Sequence, residues 1–367
     1  MTQKITLRPE EKAMLSLRTL YASYGYTPFK MTKFEEYDLY VRNKNFLLSD
    51  HIITFTDTDG KLMALKPDVT LSIVKNSKDI PDMRHKVYYS ENVYRVSGKS
   101  GSYREIMQTG LECLGDIDTY CLCEVLTLAV KSLEVLSADS ILAVSDLDLV
   151  SEAIALTGAS FAAQKKLLTC VGEKNRHGID EVLREEGIDT EAGALLKALL
   201  SLNGTPGEVF AALSSLAMPD SMVTLTERFA SLLRLVPNER VRIDFSTISD
   251  LRYYNGIVFK GFVKNIPTDI LSGGQYDKLM QKMGRTSNAV GFAVYLDLLE
   301  DLNRARSDYD YDTVILYNDE SDPTTVAKTA EALIQKGERV IAVKKLPQGK
   351  IFRHTVVVEK SEVKTLV

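Results

Sequence analysis

No tryptophan occurs in these 367 residues, and cysteine and histidine occur only four times each. Cys113, Cys121, Cys123 and Cys170 offer no second Cys or His pair at zinc-ligand spacing. They read as reduced, mostly buried thiols of a cytoplasmic protein, not as a disulfide framework. His51, His85, His177 and His354 are scattered, and each reads as a surface or structural residue. No apolar run reaches the roughly 18–20 residues of a membrane span. The opening stretch, MTQKITLRPEEK, has no apolar h-region, so no secretory signal is expected. The local signatures G-x-S-x-G, H-E-x-x-H, Walker A and G-x-G-x-x-G are all missing. Positive charge is not in excess: 45 Lys and Arg stand against 50 Asp and Glu, a formal net charge of −5. Proteins that grip tRNA by its phosphates usually carry a basic face, so this balance speaks against a tRNA partner.

What is present suits a globular protein of two or three domains, with 45% apolar and 26% charged residues. Residues 9–24 read as a helix, with Pro9 at the first position, Glu10 and Glu11 in the first turn and Gly25 at the stop. Strand signals follow at Ile52–Thr56 and Lys61–Leu65 around an Asp59-Gly60 hairpin turn, then at Val87–Val96 and Arg104–Leu114. Residues 119–137 read as a helix. From about 147 to 235 apolar residues recur at three and four, broken by Asn203-Gly204 and Pro206-Gly207. Strand alternation returns at Val241–Thr247, and 251–299 reads as strands, a Gly273-Gly274 turn and a final amphipathic helix. Asn303–Tyr311 is a polar linker candidate. Beyond it, strands at Thr313–Tyr317 and Val340–Val343 flank a helix at Val326–Lys336, with a third strand at Thr355–Val358. This βαβ-type unit has no Gly-rich phosphate loop, so no nucleotide site is expected there.

Three stretches carry chemistry. Leu65-Lys66-Pro67-Asp68-Val69-Thr70 follows the hairpin directly. Tyr94-Arg95 precedes Tyr103–Glu112, in which Gln108, Gly110 and Glu112 share one strand face because side chains alternate. Gln offers a donor and an acceptor and Glu a charged acceptor, which suits an ammonium or an imidazole N–H. A solvated strand face accounts for the same pattern. The third stretch pairs Leu251–Gly256, containing Tyr253-Tyr254, with Leu271–Leu279.

In order and spacing these stretches resemble the catalytic core of histidyl-tRNA synthetase, a class II synthetase, over roughly 10–135 and 240–300. Lys66–Thr70 is similar to its R-P-E-x-T segment, Tyr94-Arg95 to motif 2, and Gln108–Glu112 to Q-x-G-x-E. Ser249–Gly256 matches R-G-L-D-Y-Y-T-G, Gly273–Asp277 matches G-G-R-Y-D, and Gly291–Leu299 matches motif 3. The resemblance implies an α+β fold: an antiparallel sheet flanked by helices, with a helical insertion and a small C-terminal α/β domain. The expected divisions are 1–140 and 239–302 for the synthetase-like core, 141–238 for the insertion and 311–367 for a reduced anticodon-binding-like domain.

The departures from the motifs fall on charge. The family's carboxylate-side arginine aligns with Ser249 and the neighbouring aspartate with Arg252. In motif 2 the glutamate aligns with Ser97 and the second arginine with Gly98. In motif 3 the glutamate and the ATP-facing arginine align with Asp297 and Leu298, and Thr32 stands at the motif 1 proline. Adenylate formation develops negative charge that fixed arginines and metals stabilise, so no amino-acid activation and no catalytic residue are expected. The amino-acid pocket is better kept. By resemblance, Asp68, Thr70, Gln108 and Glu112 would hold the ammonium and imidazole of L-histidine, with Tyr253 and Tyr254 lining the site. Arg95 or Arg252 would then take over the carboxylate. This profile is similar to that of the regulatory subunits of ATP phosphoribosyltransferase. It implies a homodimer assembled with the short catalytic subunit, histidine feedback at the first step of histidine synthesis, and neither cofactor nor metal. A genuine histidyl-tRNA synthetase and a free-standing histidine-binding paralogue are the alternatives. Histidine at the subunit interface is the alternative to histidine in the pocket.

Overall fold

The computed structural model describes residues 7–43, 52–79, 83–96, 101–188, 190–248, 253–299 and 309–366. The chain divides into two compact units, Met1–Glu300 and Asp301–Val367.

The first unit opens with helix α1 (Pro9–Ser23), which has Pro at its start and an Arg8–Glu11 capping box. Strands β1 (Thr27–Pro28) and β2 (Phe34–Glu36), helix α2 (Tyr37–Arg42), strands β3 (Thr54–Thr56) and β4 (Leu62–Leu65) and helix α3 (Thr70–Asn76) follow. In the expected hairpin turn, Asp57 Oδ1 accepts from the backbone N–H of Asp59 and Lys61, and Gly60 sits at φ 80°. The long strands β5 (His85–Val96) and β6 (Tyr103–Gly115) pair antiparallel through twelve residues each and lead to α4 (Thr119–Leu136), capped by Asp118.

Strand β7 (Ser140–Asp146) comes next, across the expected start of the helical insertion at 141 and ahead of the helical periodicity read from about 147. It is an almost continuously buried run, which periodicity does not separate from a buried helix. The helices α5 (Leu147–Ala155), α6 (Phe161–Gly172), α7 (Arg176–Glu185), α8 (Thr190–Ser201), α9 (Pro206–Leu213) and α10 (Asp220–Arg234) then surround a two-residue strand β8 (Asn203–Gly204). Asp146 caps α5 and is fully buried beneath Arg228, whose Nη2 lies 3.1 Å from it. The unit ends with β9 (Val241–Asp244), β10 (Asn255–Val263), β11 (Leu271–Gln275), α11 (Asp277–Lys282) and β12 (Asn288–Tyr295).

Among the described residues, nine strands form one sheet in the order β1-β5-β6-β12-β11-β10-β7-β9-β8. The run from β5 to β7 is antiparallel throughout, and only β1–β5 and β7–β9 pair in parallel. One face carries Tyr88, Leu111, Phe292 and Phe259, with Tyr21 of α1 edge-on to Phe292 and its hydroxyl 3.0 Å from Ser132 of α4. The opposite face presents Gln108, Gly110 and Glu112 of β6.

One reading of 251–299 needs correction. Gly273-Gly274 is not a turn: both residues lie mid-strand in β11, opposite Phe292 and Gly291. Before the final helix expected there come α11 and strand β12; a 3-10 turn, Leu296–Leu298, then leads into a helical residue, Leu299, and the rest of that expected helix lies outside the described residues. Glycine is required because the strands come together closely. A Cβ on Gly273 would collide with the Gly291 carbonyl, and one on Gly274 would stand 2.7 Å from the Ile257 carbonyl and 2.8 Å from Tyr254 Cδ1.

In the second unit, β13 (Tyr311–Tyr317) lies between the parallel strands β14 (Val340–Val343) and β15 (Phe352–Glu359). The fourth strand β16 (Glu362–Thr365) pairs antiparallel with β15 and was not read from sequence. The connecting helix Pro323–Gln335 starts at Asp322, which accepts from Thr324 and Thr325, and Ile315, Val356 and Val358 form the centre of the core. Most of the linker 303–311 lies outside the described residues.

Gly273→Ala is expected to destabilise the chain by about 1–3 kcal/mol, because the obstructing atom is a backbone carbonyl that has no rotamer to change. Chemical denaturation of the variant against the parent checks this.

Candidate functional site

On the glycine-bearing face of the sheet lies a cavity of about 310 Å³. Its floor follows from the register. Glu112 pairs with Gly291 and Gly291 with Gly274, while Gly110 pairs with Ala293 and Ala293 with Ser272. Two adjacent rows of the sheet are therefore floored by small residues, and larger side chains stand only around the rim.

The glycines also fix what stands there. A Cβ on Gly291 would overlap the Glu112 carboxylate, and one on Gly110 would lie 2.7 Å from the Tyr89 hydroxyl. Glu112 therefore lies flat across Gly291. Thr70 Oγ1, at the first position of α3, donates to Glu112 Oε1 at 2.7 Å. Tyr276 OH donates to Glu112 Oε2 at 2.6 Å. Glu112 is only 2% exposed, which rules out the solvated strand face. Burial pushes its carboxyl up to about 8, against the opposing hydrogen bonds from Tyr276 and Thr70; Asp68 adds to the rise.

All seven residues selected from sequence line this one cavity: Asp68, Thr70, Arg95, Gln108, Glu112, Tyr253 and Tyr254. Burial also raises the Asp68 carboxyl, offset by the Leu71 N–H at 2.9 Å on its Oδ1 and by the Arg95 guanidinium. Arg95 Nε donates to the Pro67 carbonyl at 2.9 Å, so this arginine braces the Asp68 segment. Beneath that segment Lys66 is fully buried and paired with Glu91 at 2.5 Å. Gln108 is 3% exposed, and its Nε2 finds no acceptor among the described residues. Tyr253 and Tyr254 pack with ring centroids 4.5 Å apart, and burial holds both phenols well above their usual range.

Sequence reasoning overlooked Tyr276, although it lies within the matched Gly273–Asp277 segment. It also overlooked Tyr89, Lys260, Asp269, Ser272 and Tyr295, which line the same cavity from other strands and loops. Ser272 and Tyr295 lie inside the stretches Leu271–Leu279 and Gly291–Leu299, but only the folded chain shows that they share the cavity with Tyr89, Lys260 and Asp269. Ser97, Gly98, Ser249 and Arg252 lie outside the described residues. Leu298, at the position of the motif 3 arginine, is half-buried in the 3-10 turn.

The antiparallel sheet, its glycine floor and the polar cavity above it define a class II aminoacyl-tRNA synthetase-like core. A histidyl-tRNA synthetase family profile matches residues 5–299. An ATP phosphoribosyltransferase regulatory subunit of Alkaliphilus metalliredigens is 26% identical over 282 residues, covering 74% of this chain and 71% of its own. An ATP phosphoribosyltransferase regulatory subunit/histidyl-tRNA synthetase from Bacillus halodurans superposes with a TM-score of 0.70 at 21% identity, over 98% of this chain and 96% of that one. A chain of the ATP phosphoribosyl transferase complex from Thermotoga maritima gives 0.61 at 20% identity, over 80% and 98%. The chain belongs to the histidyl-tRNA synthetase family.

The pH dependence follows from Glu112. Its carboxyl titrates higher in the folded chain than in the unfolded one, so the folded state binds more protons between about pH 4.5 and 8. Relative to Glu112→Gln, the parent should match at or below pH 4.5. It should then lose stability, on the order of a few kcal/mol, as pH rises to about 8. Denaturant midpoints of both chains across this range test it; parallel curves would contradict it.

Proposed function

We propose that this chain is the non-catalytic regulatory subunit of an ATP phosphoribosyltransferase: it is required by a short catalytic subunit and carries the histidine response of the first step of histidine synthesis. The observation that supports this best is the contrast within one site. The acceptors suited to an ammonium and an imidazole, Asp68 and Glu112, stand together in one cavity with Thr70 and Gln108. At the positions of the arginines that face nucleotide charge the sequence has Gly98, Ser249 and Leu298. Leucine donates no hydrogen bond, and each missing donor to developing phosphate charge costs roughly 2.7–4 kcal/mol of barrier stabilisation. The same cavity binds without activating, which is the behaviour of a sensor. The names of the relatives in Alkaliphilus and Bacillus agree with this reading, as does the Thermotoga complex.

In this reading L-histidine places its imidazole against Glu112 and its ammonium between Asp68 and Gln108, with Tyr253 and Tyr254 closing over it. Histidine brings a cation to two carboxyls that burial holds up, so it stabilises their charged forms. The chain forms a homodimer inside a hetero-oligomer in the cytoplasm, binds no tRNA and charges none. Among the described residues no helix is long and apolar enough to cross a membrane.

The test is phosphoribosyl-ATP formation by the short catalytic subunit from the same source, with and without this chain and across a histidine titration. Activity is expected only with this chain, and it should fall as histidine rises. Activity independent of the chain overturns the proposal, and transfer of histidine to tRNA by the chain alone favours the synthetase reading.

A further inference from the structure

A histidine pocket needs a partner for the ligand's carboxylate, and the family's arginine is replaced by Ser249. Among the described residues that line the cavity, the cations are Arg95 and Lys260. Arg95 is engaged with the Pro67 carbonyl and stands by Asp68, on the side suited to an ammonium. Lys260 stands on the other side. It shares a row of the sheet with Ser272, Ala293 and Gly110, so its stem rises from β10 beside an open floor of small residues. Its Nζ is 3.9 Å from Asp269 Oδ1, longer than a hydrogen bond, and both side chains are partly exposed. The ammonium is thus held loosely, with donor capacity left over.

The neighbouring polar groups suit an anion as well. The Ser272 and Tyr295 hydroxyls lie 2.9 Å apart at this edge. Tyr295 is paired with Gln108, whose buried Nε2 is an unused donor. An unsatisfied buried amide N–H costs free energy unless an incoming group accepts from it. The dimensions agree. Glu112 leans over Gly291 on β12, and Lys260 is based two strands away on β10, about 10 Å at ordinary strand spacing, before its stem reaches inward.

We infer that Lys260, with the Gln108 carboxamide and the Ser272–Tyr295 hydroxyl pair, is the α-carboxylate anchor of the pocket and makes the site select an amino acid over its carboxyl-free analogues. Asp269 keeps the ammonium compensated until the ligand's carboxylate replaces it. This rests on the reading of the cavity as a histidine site and adds its specificity.

The test titrates the full chain calorimetrically with L-histidine, with L-histidinol, which has a hydroxymethyl group in place of the carboxylate, and with histamine. The parent is expected to prefer L-histidine to both by about tenfold to a hundredfold, the range of a charge-assisted hydrogen bond. Lys260→Met should erase the preference by weakening L-histidine alone, while its retained histidinol affinity reports an intact pocket. Lys260→Arg should keep the preference. A preference unchanged in Lys260→Met, or one lost instead in Arg252→Met, overturns the assignment. If Glu112→Gln leaves all three affinities untouched, the pocket reading itself fails, and the anchor with it.

Discussion

A carboxyl group buried flat against a glycine is the constraint on which the site depends. Glu112 occupies space over Gly291 that any other residue would fill, and its two oxygens are each held by one hydroxyl, from Thr70 and from Tyr276. Those hydroxyls come from two different elements: the first turn of α3 and the junction between β11 and α11. One side chain therefore ties the hairpin segment, the middle of β6 and the β11–α11 corner into a single frame. Burial without a cationic partner leaves the group raised to about 8, a standing cost in the empty chain that a cationic ligand would relieve.

The remainder of the frame positions this group. Pairing of β5 with β6 sets the row in which Gln108, Gly110 and Glu112 share a face, and β12 and β11 supply Gly291 and Gly274 beneath it. Lys66, fully buried and paired with Glu91, fixes the start of the Asp68–Thr70 segment, and Tyr94 N donates to the Lys66 carbonyl at 2.9 Å. On the proposed reading, binding chemistry persists on this frame without nucleotide chemistry, because the two use different residues. Of the acceptors proposed for the ligand's cations, Gln108 and Glu112 project from β6 and Asp68 stands just before α3, whereas the motif arginines' positions are held by Gly98, Ser249 and Leu298.

Much of this was legible in the sequence, for identifiable reasons. Period-two alternation put Gln108 and Glu112 on one face, and the Asp59-Gly60 turn fixed the hairpin that delivers Asp68 and Thr70. All seven residues chosen from sequence line one cavity. What escaped depended on register or on very short elements. Lys260, Ser272 and Tyr295 enter only through strand pairing across β10, β11 and β12. Gly273-Gly274 looked like a turn because a glycine pair required by close strand packing is indistinguishable, by residue type, from one required by positive φ. Strand β7 was hidden in an apolar run between two helices, and β8 has only two residues.

The central claim is that Glu112 holds histidine in this cavity. Direct titration of L-histidine into the isolated chain and into Glu112→Gln tests it most simply. The account predicts saturable binding by the parent and affinity weaker by about tenfold or more in the variant, the effect of losing a charged hydrogen-bond partner. Equal affinity in the two chains would place histidine elsewhere and contradict the account.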